Sequence, residues 1–267
     1  MTASIAEIVD LDRYPLDQIG SPQWERLVAD CQAALRDHGM YDLPGFVRPA
    51  VIAATATTLL PRMADESYAV NRTHNIYFLD HIDGLADDHP ALTKMLTANH
   101  TLCGDQLTDT ALTTLYEWEP FQAFIAATVG KPKLHPMADP LACVNVLSYR
   151  PGQSLNWHFD RSEFTTTIVL QQPTGGGVFE YRRALRTATD PNYEGVAAVV
   201  LERDPEVQRI VIEPGALNVF LGKDTAHRVT TVAGDLERMV AVLSYYEQPG
   251  VVFSDTDNLG FYGRTAS

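Results

Sequence analysis

The sequence predicts an α+β chain in which a helical N-terminal part packs on a β-sandwich or jelly roll. Three observations point there. Apolar residues recur at helical spacing through much of the first half, short β-rich runs follow one another from Ala142 onward, and turn residues separate those runs. Neither a low-complexity linker nor an internal repeat divides the 267 residues. The expected organisation is therefore a single domain over 1–267. Residues 1–139 form a helical part with a lid, residues 140–250 the catalytic core, and residues 251–267 a C-terminal tail.

The first helix is marked at both ends. Ser21 can cap it, Pro22 takes the first helical position and Gly39 stops it. Between them Trp24, Leu27, Val28, Cys31 and Leu35 form one apolar stripe. An extended piece from Met40 to Leu43 leads to a second helical stretch from about Pro49 to Met63. Residues Asn71 to Asp88 mix His, Asn, Asp and aromatics without a period and are expected to form the lid. Further helices are expected over Ala91 to Leu102 and Trp118 to Val129.

The β-rich runs are Cys143–Tyr149, Leu155–Phe159, Thr165–Leu170, Val178–Tyr181, Ile210–Ile212, Leu217–Phe220 and Met239–Tyr246. Pro151-Gly152, the stretch Pro173 to Gly177 and Pro214-Gly215 supply the turns between them. A helical insertion is expected over Asn192–Arg203. Many short strands at this spacing suit two packed sheets, which also hide most strand edges.

Composition narrows the functional classes. An apolar content of 45% can build a core without staples. Cys31, Cys103 and Cys143 are too few and too scattered for a disulfide framework, and none forms a C-x-x-C pair. The N-terminal residues lack a basic stretch followed by an apolar one, and no apolar run approaches the roughly 20 residues that span a bilayer. A cytoplasmic protein without a membrane partner is expected. A formal charge of −14, with no basic stripe to offset it, argues against a nucleic-acid partner.

The chemistry concentrates in His158-Phe159-Asp160, a distant His227, and Arg238 eleven residues beyond it. Two imidazoles and a carboxylate form the 2-His-1-carboxylate set that binds three adjacent positions of a non-haem Fe(II) and leaves three open. Alternate residues of a strand share a face, so His158 and Asp160 can reach one ion. An arginine on a neighbouring strand suits a carboxylate, which its planar fork meets with two charge-assisted hydrogen bonds. Standing alone, an H-x-D triplet is more often a pair of surface residues on an ordinary strand. Gly175-Gly176-Gly177 is not followed by Lys-Ser/Thr and reads as a hairpin turn rather than a phosphate loop.

In this order, with Asn145-Val-Leu-Ser-Tyr149 and Trp157-His-Phe-Asp-Arg161 ahead of His227 through Arg238, the segment from about Leu141 to Glu247 resembles the Fe(II)/2-oxoglutarate dioxygenase superfamily. More narrowly, Trp157-His158-Phe159-Asp160 and Thr73-His74-Asn75-Ile76-Tyr77 resemble the branch holding the free lysine halogenases and their hydroxylase relatives. The resemblance implies a double-stranded β-helix core. It implies Fe(II) on His158, Asp160 and His227, with 2-oxoglutarate as cosubstrate meeting Arg238, and dioxygen as oxidant. Tyr149 and Asn145 are candidates to support the cosubstrate, although buried polar residues of a strand equally often satisfy nearby backbone.

In the halogenases a small residue replaces the carboxylate ligand and vacates a position for chloride. Asp160 departs from that pattern, and the resemblance therefore implies hydroxylation. The substrate is expected to be a small molecule, a free amino acid or related carboxylate. Arg161 stands where the lysine-specific relatives carry an acidic residue, which favours an acidic or neutral substrate; the alternative is an exposed Arg161 paired with Glu163. Arg72, His74, Asn75 and Tyr77 match the pocket-forming segment and are further substrate candidates. Two other readings stay open: a cupin-type metal enzyme that does not use 2-oxoglutarate, and a silent binding protein of the same fold.

Overall fold

The computed structural model describes residues 3–266. The N-terminal half carries α1 (Ile5–Ile8), α2 (Pro22–His38), β1 (Met40–Leu43), α3 (Pro49–Asp65), β2 (Tyr68–His74), β3 (Met95–Leu102), α4 (Ala111–Glu117) and α5 (Glu119–Thr128). In α2 the Ser21 hydroxyl accepts from the Trp24 N–H at 3.2 Å, and Gly39 ends the helix at φ 75°, a left-handed conformation that glycine adopts without cost.

The second half is mostly strand: β4 (His135–Pro136), β5 (Val144–Tyr149), β6 (Leu155–His158), β7 (Thr165–Gln171), β8 (Gly175–Gly176) and β9 (Phe179–Arg182). After α6 (Tyr193–Val200) come β10 (Gln208–Ile210), β11 (Leu217–Phe220), β12 (Ala226–Val229), β13 (Val232–Ala233), β14 (Arg238–Leu243) and β15 (Tyr245–Tyr246). The helix α7 (Asp255–Tyr262) follows.

Two antiparallel sheets carry the architecture. The larger runs β1-β11-β7-β14-β5-β3-β2 and the smaller β10-β9-β12-β6. Side chains alternate along each strand. On β5 and β14 of the larger sheet, Val144, Val146, Met239, Ala241 and Leu243 turn outward to one apolar cluster with Leu59, Phe121 and Phe124 of the helices. Their neighbours Asn145, Leu147, Tyr149, Arg238, Val240 and Val242 turn the other way, into a cavity of about 900 Å³ walled opposite by Leu155, His158, Phe179, His227 and Val229 of the smaller sheet. That alternation separates a greasy face from a chemical one.

Three expectations are corrected. Ala91–Leu102 is not a helix; after a short turn at Pro90–Leu92 it is β3, paired with β2 and β5. Its alternate residues Thr97, Asn99 and Thr101 face the cavity, so polar side chains occupy an inner face and the usual apolar alternation is missing. The expected lid begins inside β2, which continues to His74 before the chain leaves the sheet. The C-terminal tail contains α7, capped by Ser254, whose hydroxyl accepts from the Asp257 N–H at 3.1 Å. Among the described residues no helix is long and apolar enough to cross a membrane.

Candidate metal centre

His158 ends β6 and lies directly across from His227 of β12, so strand register alone brings the two rings together, with centroids 4.0 Å apart. Asp160 follows just past the end of β6. One of its carboxylate oxygens, Oδ1, stands 3.5 Å from His158 Nε2 and 3.4 Å from His227 Nε2. The ligand-capable atoms of these three residues all fall within 4.8 Å of one another.

Backbone contacts set the imidazole tautomers. His158 Nδ1 lies 2.8 Å from the Asn156 carbonyl and His227 Nδ1 lies 2.9 Å from the Thr225 carbonyl. A carbonyl only accepts, so each Nδ1 carries the proton and each Nε2 keeps its lone pair toward Asp160. This is the support that metal-binding histidines ordinarily have. Burial and the neighbouring His227 lower the His158 pKa, favouring the neutral, ligating ring. Burial by itself would raise the Asp160 carboxyl, but its proximity to the His227 and His158 rings outweighs that and holds the group well below the usual carboxylate range. The donor set fits a divalent cation.

Arg238 begins β14, paired with Tyr149 of β5, and is 4% exposed. Its Nε has no hydrogen-bond partner, although its guanidinium lines the cavity. A desolvated cation without an anion is costly; its neighbour is the Tyr149 phenol, whose pKa burial pushes up to about 12. The geometry leaves room for an anionic ligand at Arg238.

The other residues singled out from the sequence fall into two groups. Arg72, Tyr77, Arg161 and Tyr149 line the cavity. Arg72 projects from β2 between the rings of Phe78 and Phe261, 5.2 and 5.0 Å from their centroids, with its Nε buried and unpartnered. Tyr77 packs on Phe159 with centroids 6.0 Å apart and donates its hydroxyl to the Pro191 carbonyl at 3.0 Å. Arg161 does not pair with Glu163; its Nη1 bonds Asp257 of α7 at 2.7 Å, and Glu163 is taken by Lys131.

His74 and Asn75, expected as substrate residues, do not line the cavity. His74 spends its nitrogens on Thr97 Oγ1 and the Asn75 carbonyl, and the Asn75 side chain closes the turn at Tyr77 and Leu79. Asn145 does reach the cavity wall, but its amide donates to the carbonyls of Leu141 and Val144 and accepts from Tyr262. Its bond to Tyr262 ties α7 to β5.

Sequence reasoning missed Thr165, Gly222, Arg186 and Phe261, all brought to this region by the fold. Thr165 Oγ1 donates to Asp160 Oδ2 at 2.5 Å. Arg186 lies 3.9 Å over the Phe159 ring, at the cavity. Only the Ser254 cap and the acidic first turn of α7 were legible signals for the helix that delivers Phe261.

The family model described as Halogenase D matches residues 99–252. No curated protein matches the chain in sequence. Among solved structures, an oxidoreductase of the 2OG-Fe(II) oxygenase family from Burkholderia pseudomallei is similar at 16% identity and TM-score 0.50, over 84% of this chain and 92% of that one. A prolyl hydroxylase from Trichoplax adhaerens, in complex with a hypoxia inducible factor peptide fragment, is similar at 14% identity and TM-score 0.54, over 86% and 96%. HygX from Streptomyces hygroscopicus, with nickel, 2-oxoglutarate and hygromycin B bound, is similar at 12% identity and TM-score 0.53, over 84% and 87%. At these identities the likeness is one of fold.

Proposed function

The chain belongs to the halogenase D family, and on that premise we propose that it is an Fe(II)/2-oxoglutarate-dependent oxygenase that hydroxylates an unactivated C–H bond of a small amino acid or related carboxylate. The observation that carries this reading is the convergence of His158 Nε2, Asp160 Oδ1 and His227 Nε2, both rings braced by backbone carbonyls, in a cavity that also holds the unpartnered Arg238. The two facing sheets are read as a double-stranded β-helix around that cavity.

His158, Asp160 and His227 would hold Fe(II). When bound, the metal and 2-oxoglutarate supply the oxidising power, with dioxygen consumed and succinate and carbon dioxide released. Arg238 would receive the far carboxylate of 2-oxoglutarate, its fork matching a carboxylate in two parallel hydrogen bonds. The Tyr149 phenol beside it stays protonated at neutral pH, as a hydrogen-bond donor must. Asp160 supports hydroxylation over halogen transfer. A carboxylate at that position is itself a ligand, where halogen transfer needs the position free for a halide.

The charge of the cavity bears on the substrate. Arg72, Arg161, Arg186, Lys223 and Arg238 line it with the single carboxylate of Asp160, and Asp257 and Asp224 offset part of the Arg161 and Arg186 charge from outside the lining. Arg72 is half-buried, and both desolvation and the neighbouring Arg161 disfavour its charge, so an anionic group beside it relieves two penalties at once. Arg72 would hold the substrate carboxylate. The remaining cations favour a substrate whose other end is acidic or neutral over one that ends in an amine.

The test is succinate release with Fe(II), 2-oxoglutarate and ascorbate across free amino acids, including aspartate, glutamate and lysine, with products analysed by mass. An acidic or neutral amino acid is expected to stimulate turnover and gain one oxygen. A chlorinated product would overturn the hydroxylase reading. Turnover indifferent to Arg238→Ala would favour a cupin-type enzyme, and bound ligand without turnover a silent binding protein.

A further inference from the structure

Of the three residues assigned to the metal, Asp160 is the one that strand pairing does not fix, because it lies beyond the last residue of β6. A carboxylate torsion is soft and nearly two-fold, so either oxygen could face the histidines, or both could. The contacts around Asp160 remove that freedom. Its N–H donates to the Gly222 carbonyl at 3.1 Å, and its Oδ2 accepts from the Thr165 hydroxyl at 2.5 Å. That leaves Oδ1 as the oxygen facing both Nε2 atoms. On the other flank the carboxylate lies against Gly222. A Cβ added there would overlap Asp160 Oδ2 and stand 2.7 Å from its Cγ, a separation that bonded neighbours alone achieve.

We propose that Thr165 and Gly222 are positioning residues for the metal site: the hydroxyl of Thr165 engages one oxygen of Asp160, the bare Cα of Gly222 makes room for it, and the carboxylate is thereby held to a single donor atom. The inference rests on the metal reading given above. Its consequence is coordinative. A carboxylate that offers one oxygen fills one position, which keeps three positions of a six-coordinate ion open; one that offers two would consume a further position.

The two residues come from one place in the fold. Thr165 opens β7 opposite Phe220, the last residue of β11, and Gly222 lies two residues past that end. The smaller sheet thus delivers the histidines, while the adjoining ends of two strands in the larger sheet fix the carboxylate. A short O–H···O⁻ bond is a strong one and suits a residue asked to hold an orientation.

The test is metal affinity, read independently of turnover. Co(II) is titrated into the full chain, Thr165→Val, Thr165→Ser, Gly222→Ala and His227→Ala, followed by visible absorption, with far-UV circular dichroism and thermal melts as fold controls. Loss of a partner that orients a metal ligand typically weakens affinity by about 10–100-fold. Thr165→Val is expected to lose that much and to show an altered Co(II) spectrum, while Thr165→Ser, which keeps the hydroxyl, stays near the parent. Gly222→Ala is expected to lose at least as much as Thr165→Val. Should it fail to fold, the Thr165 pair decides alone. Parental affinity and spectrum in Thr165→Val would overturn the proposal. If His227→Ala also bound Co(II) like the parent, the metal reading itself would fall; if His227→Ala alone lost the metal, only the positioning inference would.

Discussion

Arg238 and Asp160 show how much chemistry a single side chain can commit a cavity to. Arg238 is buried with its Nε unpartnered, so an anion beside it would offset the cost of desolvating its charge. Arg238→Lys keeps the charge but loses the fork. Hydrogen bonds to charged groups contribute about 1.5–3 kcal/mol, which corresponds to an expected rise of roughly 10–100-fold in the Kd for 2-oxoglutarate. Isothermal titration in the presence of Fe(II) would measure it, and unchanged affinity would remove Arg238 from the cosubstrate site. Asp160→Gly is expected to abolish hydroxylation with chloride present; a normal hydroxylation rate would show that Asp160 is not a ligand. Legibility at this scale followed the chemistry. His158, Asp160, His227 and Arg238 could be picked out because metal and carboxylate binding demand those residue types, and the H-x-D triplet and the His227-to-Arg238 interval gave them an order. Thr165 and Gly222 could not, because a threonine and a glycine acquire a role here only through what two strand ends place beside them.

Elements were legible where apolar periodicity met end signals, and illegible where the inner face of a strand is polar. The helix α2 was readable from Ser21 to Gly39 by its cap, its apolar stripe and its glycine stop, and β11 at both bounds, where three of four residues are apolar and Pro214-Gly215 supplies a turn ahead of it. The strand β3 was misread as helix because Thr97, Asn99 and Thr101 put polar side chains on the face that lines the cavity. The helix α7 buries only Asn258 and Tyr262 and so carried almost no apolar signal. Polar ties hold it instead. The buried Asp139 carboxylate accepts from the N–H groups of Leu141 and Phe253 at 2.9 and 3.1 Å and from Asn258 Nδ2 at 2.9 Å, and Tyr262 bonds Asn145 at 2.9 Å. Asp139→Ala strands several of these donors at once, each costing about 1–3 kcal/mol if left dry. Hydrogen exchange is expected to quicken over residues 251–262 while the larger sheet stays protected. Because α7 presents Phe261 beneath Arg72 and Asp257 to Arg161, substrate KM should rise more than the KM for 2-oxoglutarate. Equal rises would place α7 outside substrate recognition.

For the molecule as a whole, the larger sheet has two owners. Its inner face belongs to the site, and its outer face to the helices that precede it in sequence. Three of its seven strands, β1, β2 and β3, also come from before residue 139 and flank the other four on both edges. Residues 140–250 were expected from their sequence to be the catalytic core, and His158, Asp160 and His227 all lie within them. Cut free, however, they would expose Val146, Ile168, Leu217, Val219 and Leu243, each at most 1% exposed in the full chain. At about 2 kcal/mol for each such side chain, these five alone forfeit on the order of 10 kcal/mol, comparable with the roughly 5–15 kcal/mol by which whole domains are stable. The edges of β11 and β5 would lose their partners as well, leaving unpaired backbone that invites association between copies. We therefore propose that residues 1–267 act as one folding unit. A fragment of residues 140–250 is expected to aggregate or to bind hydrophobic dyes without a cooperative melt, and to show no saturable Co(II) spectrum. A soluble fragment that melted cooperatively and bound Co(II) like the full chain would show instead that the helices and early strands are dispensable packing.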